Sequence, residues 1–274
     1  MRHILKFNYW AFKLFVILAC SIIMPRLSAQ DLLTYQAPLP CLNKKFTVVA
    51  HIVKDSLNTV DEITMEAAIR TSFIQVNKWF EPICVSFEPC EFNVIENFQY
   101  DTLYDVANWQ WDELMVKYRK DRRINIIFSG KIDTMENSVV SGFAAGGIAN
   151  ASGGVAVVRP GNPGVIAHEL GHYFGLAHTF AGNGTELVDG SNCKDEGDRI
   201  CDTPADPFHP DSTEVVYVND ECQFVYYGKD EKGQYYRPDV GNIMSYYPCP
   251  KCGFTYEQYL KMANSWLNSD RRVW

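Results

Sequence analysis

The chain has 274 residues, an apolar fraction of 47% and a formal net charge of −8. This length fits one ordinary globular domain that can bury a sizeable core. The acidic balance, without any block of basic residues, argues against a nucleic-acid-binding protein.

Residues 1–30 have the pattern of a signal peptide. Three basic residues precede an apolar run at residues 14–24, and a site of small residues follows at 27–29. The apolar run is too short to span a membrane comfortably. The sequence therefore predicts a secreted protein without a transmembrane span.

Cys20 offers an alternative, because it follows Leu18-Ala19 and can be read as the lipidated residue of a lipoprotein. The apolar run continues beyond Cys20, which favours the secreted form. Residues 31–45, with two prolines, are predicted to be a leader or linker. Eight of the nine cysteines remain after Cys20 is set aside, and an even number in an oxidising compartment predicts disulfides for all of them.

Residues 46–53 are β-branched and apolar and predict a strand, in which His51 is structural rather than a ligand. Asp61 or Thr64 can cap a following helix. Core residues recur along it at helical spacing: Met65, Ile69, Phe73, Val76 and Phe80.

The remaining elements alternate in type. Short strands are predicted at 85–87 and 92–98, a helix at 111–118, a central strand at 124–128, a glycine-rich loop and edge strand at 141–154, a strand at 155–158, and a last helix at 255–267. This order predicts an α/β (α+β) fold in which a twisted mixed sheet is layered with helices.

One motif carries the chemistry, and it reads HExxHxxGxxH. His168 and His172 lie four residues apart, so they share one helix face and can point at one ion. Gly175 is predicted to turn the chain back so that His178 becomes the third ligand. Three protein ligands with an open position are typical of catalytic zinc, and Glu169 stands where a carboxylate can take a proton from water.

The chain after this motif lacks periodicity. Residues 180–241 are rich in Gly, Asp, Asn, Pro and Cys and are too long for a simple connection, so cysteines and a cation are expected to hold them. Met244 and Tyr246 follow and supply the methionine-bearing turn, or Met-turn, that the extended zinc motif requires.

The C-terminal half resembles the pappalysin family of metzincin zinc peptidases. The matching segments are His178-Thr179-Phe180, Gly197-Asp198, Asp202-Thr203-Pro204, Asn242-Ile243-Met244-Ser245-Tyr246 and Phe254-Thr255. The resemblance implies a catalytic domain over residues 46–274, divided into subdomains at 46–178 and 179–274. Its C-terminal subdomain is expected to be irregular and tied by disulfides.

The resemblance also implies roles for individual residues. His168, His172 and His178 bind zinc, and Glu169 is general base and general acid. Met244 forms an apolar floor beneath the metal, and Tyr246 lies near the substrate oxyanion.

Calcium is implied in the loop after the zinc helix. Its ligands are Asp198, the Cys201 carbonyl and the Thr203 oxygens, although Asp198 and Asp202 also suit simple turns. By the same resemblance Cys193 pairs with Cys222, and Cys201 pairs with Cys249 or Cys252.

One position departs from the family. Members often carry an acid between the tyrosine of the Met-turn and the next cysteine, and it favours basic side chains after the cleaved bond. Here Lys251 occupies this stretch. An acid from elsewhere, such as Glu221 or Asp239, would be needed to restore that preference.

These observations predict an exported zinc endopeptidase that acts on proteins or peptides. The glycine-rich edge at 142–154 is expected to accept an extended peptide by strand addition. A non-catalytic extracellular binding module stabilised by zinc and calcium is the alternative from another class, and the presence of Glu169 weighs against it. Zinc-dependent hydrolysis of a substrate other than protein is a third possibility.

Overall fold

The computed structural model describes residues 37–104, 109–133, 139–150, 153–212 and 214–269. The predicted signal peptide at 1–30, and Cys20 within it, lie outside these residues. None of the helices in the described ranges combines the length and apolarity that a membrane crossing requires.

The described residues from Leu39 onward belong to one unit of strands and helices. The strands are β1 (Lys44–Val53), β2 (Val85–Ile95), β3 (Thr102–Tyr104), β4 (Ile124–Ser129), β5 (Lys131–Asp133), β6 (Val139–Val140), β7 (Gly142–Ala145) and β8 (Gly154–Val158). The helices are α1 (Glu62–Phe80), α2 (Trp109–Tyr118), α3 (Pro163–Tyr173) and α4 (Tyr256–Leu267), with single 3₁₀ turns at Glu81–Ile83 and Phe98–Tyr100.

The main sheet has the strand order β2-β1-β4-β8-β7. Its first four strands are parallel, and β7 runs antiparallel to β8 at the edge. Every residue of β4 is buried, as expected for a central strand covered on both faces. A small second sheet joins β3, β5 and β6. The predicted mixed α/β fold is therefore confirmed.

Strand β2 differs from the prediction of two short strands. It is one continuous strand, because a bulge in its pairing with β1 accommodates an extra residue: Val48 pairs with Pro89 and Val49 with Glu91, so Cys90 is skipped. A proline is tolerated there because β2 is an edge strand of the described sheet, where ladder bonds form on one side only.

Helix α1 covers this sheet as the apolar spacing predicts. The Asp61 side chain caps it by accepting from the Thr64 N–H, and all five core residues named from the spacing are buried. The ring of Phe80 meets Phe87 of β2 edge-on at a centroid distance of 4.9 Å. Burying a side chain of this size stabilises the fold by about 1.5–3 kcal/mol.

His51 is a buried structural residue of β1. Its Nε2 lies 3.0 Å from Asn125 Oδ1. The Asn125 amide donates to the carbonyls of Lys120 and Arg123, so its oxygen is the acceptor and His51 Nε2 carries the proton. Burial lowers the pKa of His51, which keeps the imidazole neutral.

The chain between α3 and α4 contains no helix or strand among its described residues, and its pairing is limited to isolated bridges. Tyr247 lies at the centre of an aromatic cluster there. Its ring meets those of Phe208, Tyr217 and Phe224, and Tyr226 packs against the last two. Disulfides supply the remaining cross-links, so the predicted irregular, disulfide-tied character of this region is confirmed.

The predicted disulfide pairing is wrong. The bonds formed are Cys41–Cys84, Cys193–Cys201 and Cys222–Cys249. The chain turns back on itself after Cys193, which brings the Cα atoms of Cys193 and Cys201 to 5.1 Å. Cys90 and Cys252 are free exposed thiols, so the expectation that all eight cysteines are bonded is also wrong.

Candidate active site

Helix α3 positions the first two histidines. Asn162 caps it by accepting from the Gly164 N–H at 2.8 Å, and Pro163 occupies the first turn, where no N–H is needed. The helix ends at Tyr173, and Gly175 adopts a φ of 93°, a left-handed conformation that glycine takes without strain. The turn predicted at Gly175 is therefore present.

Three imidazoles converge at the end of this helix. His172 Nε2 lies 3.1 Å from His168 Nε2 and 2.9 Å from His178 Nε2. His168 Nδ1 lies 2.7 Å from the Ile243 carbonyl, and His172 Nδ1 lies 2.8 Å from the Leu176 carbonyl. Since a carbonyl only accepts, each Nδ1 carries the proton and each Nε2 directs a lone pair into the cluster.

Electrostatics keep these imidazoles ready to bind a cation. Burial, with the neighbouring imidazoles, holds the pKa of His168 well below 6.5 and lowers the pKa of His178 to about 3. Burial also lowers the pKa of His172. A neutral imidazole is the form that ligates metal.

The residues present fit a zinc ion. The potential ligand atoms of His168, His172 and His178 all lie within 4.8 Å of one another. A tetrahedral zinc with Zn–N bonds of about 2.0–2.1 Å holds two nitrogens about 3.3 Å apart, so the imidazoles need little rearrangement to bind it.

Glu169 lies beside this cluster and is 5% exposed. Burial raises its pKa to about 8. Its Oε2 makes no hydrogen bond to any part of the chain that the structure describes. Gly142 at the start of β7 allows Glu169 to lie close to this strand, because a Cβ at position 142 would lie only 2.9 Å from Glu169 Oε1.

The Met-turn packs beneath α3. Met244 is fully buried, and a Cβ at Gly171 would lie 2.5 Å from its sulfur. The Asn242 side chain accepts from the Met244 N–H at 2.8 Å and bonds to Gln258 of α4 at 2.9 Å. The turn is thus fixed to the helix above it and to the last helix of the chain.

Tyr246 follows at the rim of the site and is 44% exposed. Its ring lies 4.6 Å from His178 and 5.5 Å from His168, centroid to centroid. Burial of the phenol, with the Glu169 charge, raises its pKa to about 12, so the hydroxyl keeps its proton at neutral pH.

A cavity of about 470 Å³ opens beside these groups. Its walls are the segment at 139–142, the first turns of α3 including His168 and Glu169, and residues 245–249 with Lys251. Glu221 and Asp239 do not line it. Among the described residues, therefore, neither of these carboxylates restores a basic preference in this cavity.

The loop expected to hold calcium contains buried, unsatisfied oxygens. Asp198 is 2% exposed and Thr203 is 3% exposed. Asp198 Oδ1 accepts from the Ile200 N–H at 2.9 Å, which is the turn expected of it. Asp198 Oδ2 and Thr203 Oγ1 have no partner at hydrogen-bond geometry among the residues described, although the Thr203 side chain lies close enough to Asp198 to lower the pKa of its carboxyl. Cys201 lies between them in the disulfide with Cys193.

Glu186 is a carboxylate that sequence reasoning did not identify in this loop. It is 3% exposed, and its Oε2 is also unsatisfied within the described ranges. A Cβ at Gly197 would lie 2.1 Å from this oxygen. Burial and the Asp198 charge raise the pKa of Glu186 to about 7, and burial raises the pKa of Asp198 to about 6. Nothing in the spacing of residues 180–205 marked Glu186, because its contacts with Gly197 and Asp198 arise in an irregular loop that has no periodic pattern.

Asp206 is the second residue that sequence reasoning did not identify. It accepts from the Thr179 hydroxyl at 2.6 Å and from the Tyr247 hydroxyl at 2.5 Å. Thr179 follows the third histidine and Tyr247 follows Tyr246, so one buried carboxylate joins the two segments that complete the site. Asp202, in contrast, is bonded to Thr255 and Glu257 at the start of α4.

The sequence profile of the family Peptidase M43, described as pregnancy-associated plasma protein-A, matches residues 105–266. No curated protein sequence matches the chain.

Among solved structures, mature mirolysin of Tannerella forsythia in complex with a cleaved peptide is similar, at 14% identity and a TM-score of 0.51. The match covers 84% of this chain and 93% of that one. Metalloproteinase-II from Bacteroides fragilis matches at 16% identity with a TM-score of 0.33, over 53% of this chain and 46% of that one. The mirolysin likeness confirms the metzincin-type fold. The three disulfides are consistent with an extracellular protein.

Proposed function

This chain belongs to the Peptidase M43 family of metallopeptidases, and we propose that it is an exported zinc endopeptidase. The observation that carries the proposal is the convergence of three neutral imidazoles beside one buried carboxylate. His168, His172 and His178 would hold the zinc ion. When bound, zinc supplies a Lewis acid that polarises the scissile carbonyl and makes a water in the site more acidic.

Glu169 acts on the protons of the reaction. Burial alone raises its pKa to about 8, but a cation held by the three imidazoles would favour the ionised form. The carboxylate then takes a proton from the attacking water and passes it to the amine of the departing peptide. Its unsatisfied Oε2 supports this role, because no hydrogen bond to a described residue has to be broken first. The glycine at position 142 keeps the approach to this carboxylate open.

Tyr246 stabilises the charge that develops on the carbonyl oxygen. Its raised pKa keeps the hydroxyl a donor, and its ring lies against those of His178 and His168. Met244 serves as the apolar floor beneath the three histidines, where it packs against Gly171.

The substrate binds along the edge strand β7. Within the described sheet, β7 pairs with β8 on one side only, so its other side can pair with an extended peptide. Gly142 begins this strand next to Glu169, which places the bound backbone beside the carboxylate. The catalytic domain comprises residues 46–274, with the division near residue 178 that the motif implies.

The decisive variant is Glu169→Gln. We expect it to keep the zinc content of the wild type and to lose turnover of a protein substrate by about 10²- to 10⁴-fold, because the three ligands survive and the base does not. Metal analysis and turnover are measured on the same purified sample. Glu88→Gln, at an exposed position of β2, is the matched control and should leave both unchanged.

Two outcomes would contradict the proposal. Near wild-type turnover by zinc-loaded Glu169→Gln would remove Glu169 from the mechanism. A zinc-loaded wild-type protein that cleaves no protein or peptide from a diverse library would favour the non-catalytic binding module instead.

Calcium is a second part of the proposal. Asp198 Oδ2, Thr203 Oγ1 and Glu186 Oε2 are buried oxygens in one loop without hydrogen-bond partners among the described residues. Oxygen ligands of this kind suit a hard cation, and two buried carboxylates need one to remain ionised. We assign Asp198, Thr203 and the Cys201 carbonyl as ligands, with Glu186 added.

A further inference from the structure

Lys251 is a cavity wall residue whose ammonium group is held in place. Its Nζ donates to the Ser245 carbonyl at 2.9 Å, to the Ser245 hydroxyl at 2.9 Å and to the Tyr247 carbonyl at 3.2 Å. These bonds fix the position of the ammonium on the segment that follows the Met-turn. Because it is fixed, its charge acts at one place in the cavity rather than over the surface.

The charge of Lys251 is not neutralised by a direct partner. All three acceptors are neutral, and no described carboxylate forms an ion pair with Lys251 within 4.0 Å. Asp239 and Asp206 act on it only from longer range. Burial lowers the pKa of Lys251 to about 8, so the group is still mostly protonated at neutral pH. A half-buried cation without a counter-ion favours an anion that enters beside it.

Two charged side chains of opposite sign line the cavity. Of the described lining residues, Lys251 is the only lysine or arginine and Glu169 is the only carboxylate. In the proposed reaction Glu169 acts on the cleaved bond from the α3 side of the cavity. Lys251 lies on the wall formed by residues 245–251 and makes that wall positively charged. An arginine or lysine side chain there would be repelled, whereas a carboxylate would complete an ion pair.

We propose that this cavity binds an acidic side chain of the substrate, at a residue that flanks the cleaved bond, and that the Lys251 ammonium selects it. The inference rests on the proposed peptidase function. The cavity borders both His168 and Glu169, and therefore its occupant lies next to the bond that these residues act on. The N–H group of Lys251 that donates to the Tyr247 carbonyl makes the longest of the three bonds, and it can also donate to a substrate carboxylate.

The test uses a peptide that the zinc-loaded wild type cleaves, made with Glu, Gln or Lys at each of the two positions flanking the cleaved bond. Glu and Gln have nearly the same shape, so their ratio of kcat/KM isolates the charge. We expect the wild type to prefer Glu over Gln by about tenfold at one of these positions, and over Lys by more. Lys251→Met should bring the Glu-to-Gln ratio to about one.

The controls separate specificity from folding. A ratio taken within one variant does not depend on the folded fraction of the sample. Lys251→Arg retains the charge and should retain the preference, and Lys78→Met, at an exposed position of α1, should leave it unchanged. If Lys251→Met does not fold, the wild-type ratio and Lys251→Arg still decide.

The outcomes are distinguishable from failure of the proposed function. A wild type that cleaves the Gln peptide as well as the Glu peptide, or that prefers Lys, overturns this inference and leaves the peptidase intact. A preference for Glu that persists in folded Lys251→Met would show that Lys251 does not select the acidic side chain. A zinc-loaded wild type that cleaves no peptide overturns the proposed function itself.

Discussion

The sheet region, residues 44–173, and the irregular region, residues 174–255, are stabilised by different interactions. The first supplies most of the main apolar core, to which the strands and α1 contribute side chains at regular spacing, and Phe174, Leu176, Ile243 and Met244 of the second complete it. The second relies on two disulfides, an aromatic cluster and buried carboxylates. The candidate site takes its first two histidines and Glu169 from the sheet region. It takes His178, Met244 and Tyr246 from the irregular one. Its assembly therefore depends on specific bonds as much as on apolar burial.

The largest loss of stability is expected from a substitution that leaves an empty space in the core of the sheet region. Phe87 meets Phe80, Phe46 and Phe174 at ring distances of 4.9, 5.7 and 6.1 Å. Phe87→Ala should lower the free energy of unfolding by about 3–5 kcal/mol. Phe224→Ala, in the partly exposed aromatic cluster, should cost less. Denaturant titration of both variants measures this, and equal losses would contradict a main core built chiefly from the sheet region.

Removal of a disulfide should destabilise the irregular region. The Cys222–Cys249 bond closes a loop with a sequence separation of 27. Replacing both cysteines by alanine should cost about 3 kcal/mol. Cys90→Ser, which changes a free thiol, is the matched control and should cost little. Hydrogen exchange should show faster opening near Tyr217 and Tyr247 but not in β4, and uniform acceleration would argue against two separately stabilised regions.

Calcium should stabilise the irregular region in a pH-dependent way. Without a cation, the pKa of Asp198 is raised to about 6 and that of Glu186 to about 7, both mainly by burial. The folded state then binds more protons than the unfolded state, so its stability falls as the pH rises from about 4 through these values. A calcium concentration of a hundred times Kd adds about 2.7 kcal/mol at pH 8.

The measurement is the melting temperature with and without calcium at pH 5 and pH 8. The calcium effect should be larger at pH 8, because protonated carboxylates bind the ion poorly. Asp198→Asn with Glu186→Gln should remove the difference. An effect of calcium that is the same at both pH values would leave only the turn-forming role of Asp198.

The smallest effect on stability is expected from His51, and its pH dependence is opposite in sign to that of Asp198 and Glu186. Burial lowers the pKa of His51 below 6.5, so the unfolded state binds the proton more strongly. This contribution is complete above pH 6.5 and is lost as the pH falls towards the folded pKa. His51→Gln should reduce the loss of stability between pH 7.5 and pH 5.5. An unchanged slope would show that the buried network tolerates the charge.

Sequence periodicity predicted the sheet region well. The spacing of Met65, Ile69 and Phe73 predicted the buried face of α1, and the apolar run at 124–128 predicted the central strand. The spacing of His168 and His172 predicted their convergence for the same reason, because i and i+4 on a helix share one face. The two short strands predicted in place of β2 show the limit, since a bulge at Cys90 interrupts the pattern without ending the strand.

Sequence reasoning predicted much less of the irregular region. Disulfide partners, the Asp206 bonds and the Glu186 contact all join residues that no local pattern relates. The departure at Lys251 was visible in the sequence, but its three bonds and its place on the cavity wall depend on how residues 245–251 fold. Long-range contacts of this kind are fixed only when the whole chain has folded.

The close packing of α3 on the Met-turn links the evolution of two distant positions. A Cβ at Gly171 would lie 2.5 Å from the sulfur of Met244, and Met244 is fully buried, so the sulfur has no free space to enter. A larger residue at 171 must therefore be accompanied by a smaller one at 244, or else the turn moves. The Ile243 carbonyl in that turn orients His168, so a methyl group added at position 171 would also shift this proposed zinc ligand. The two positions are thus expected to change together, as a pair constrained by their summed volume.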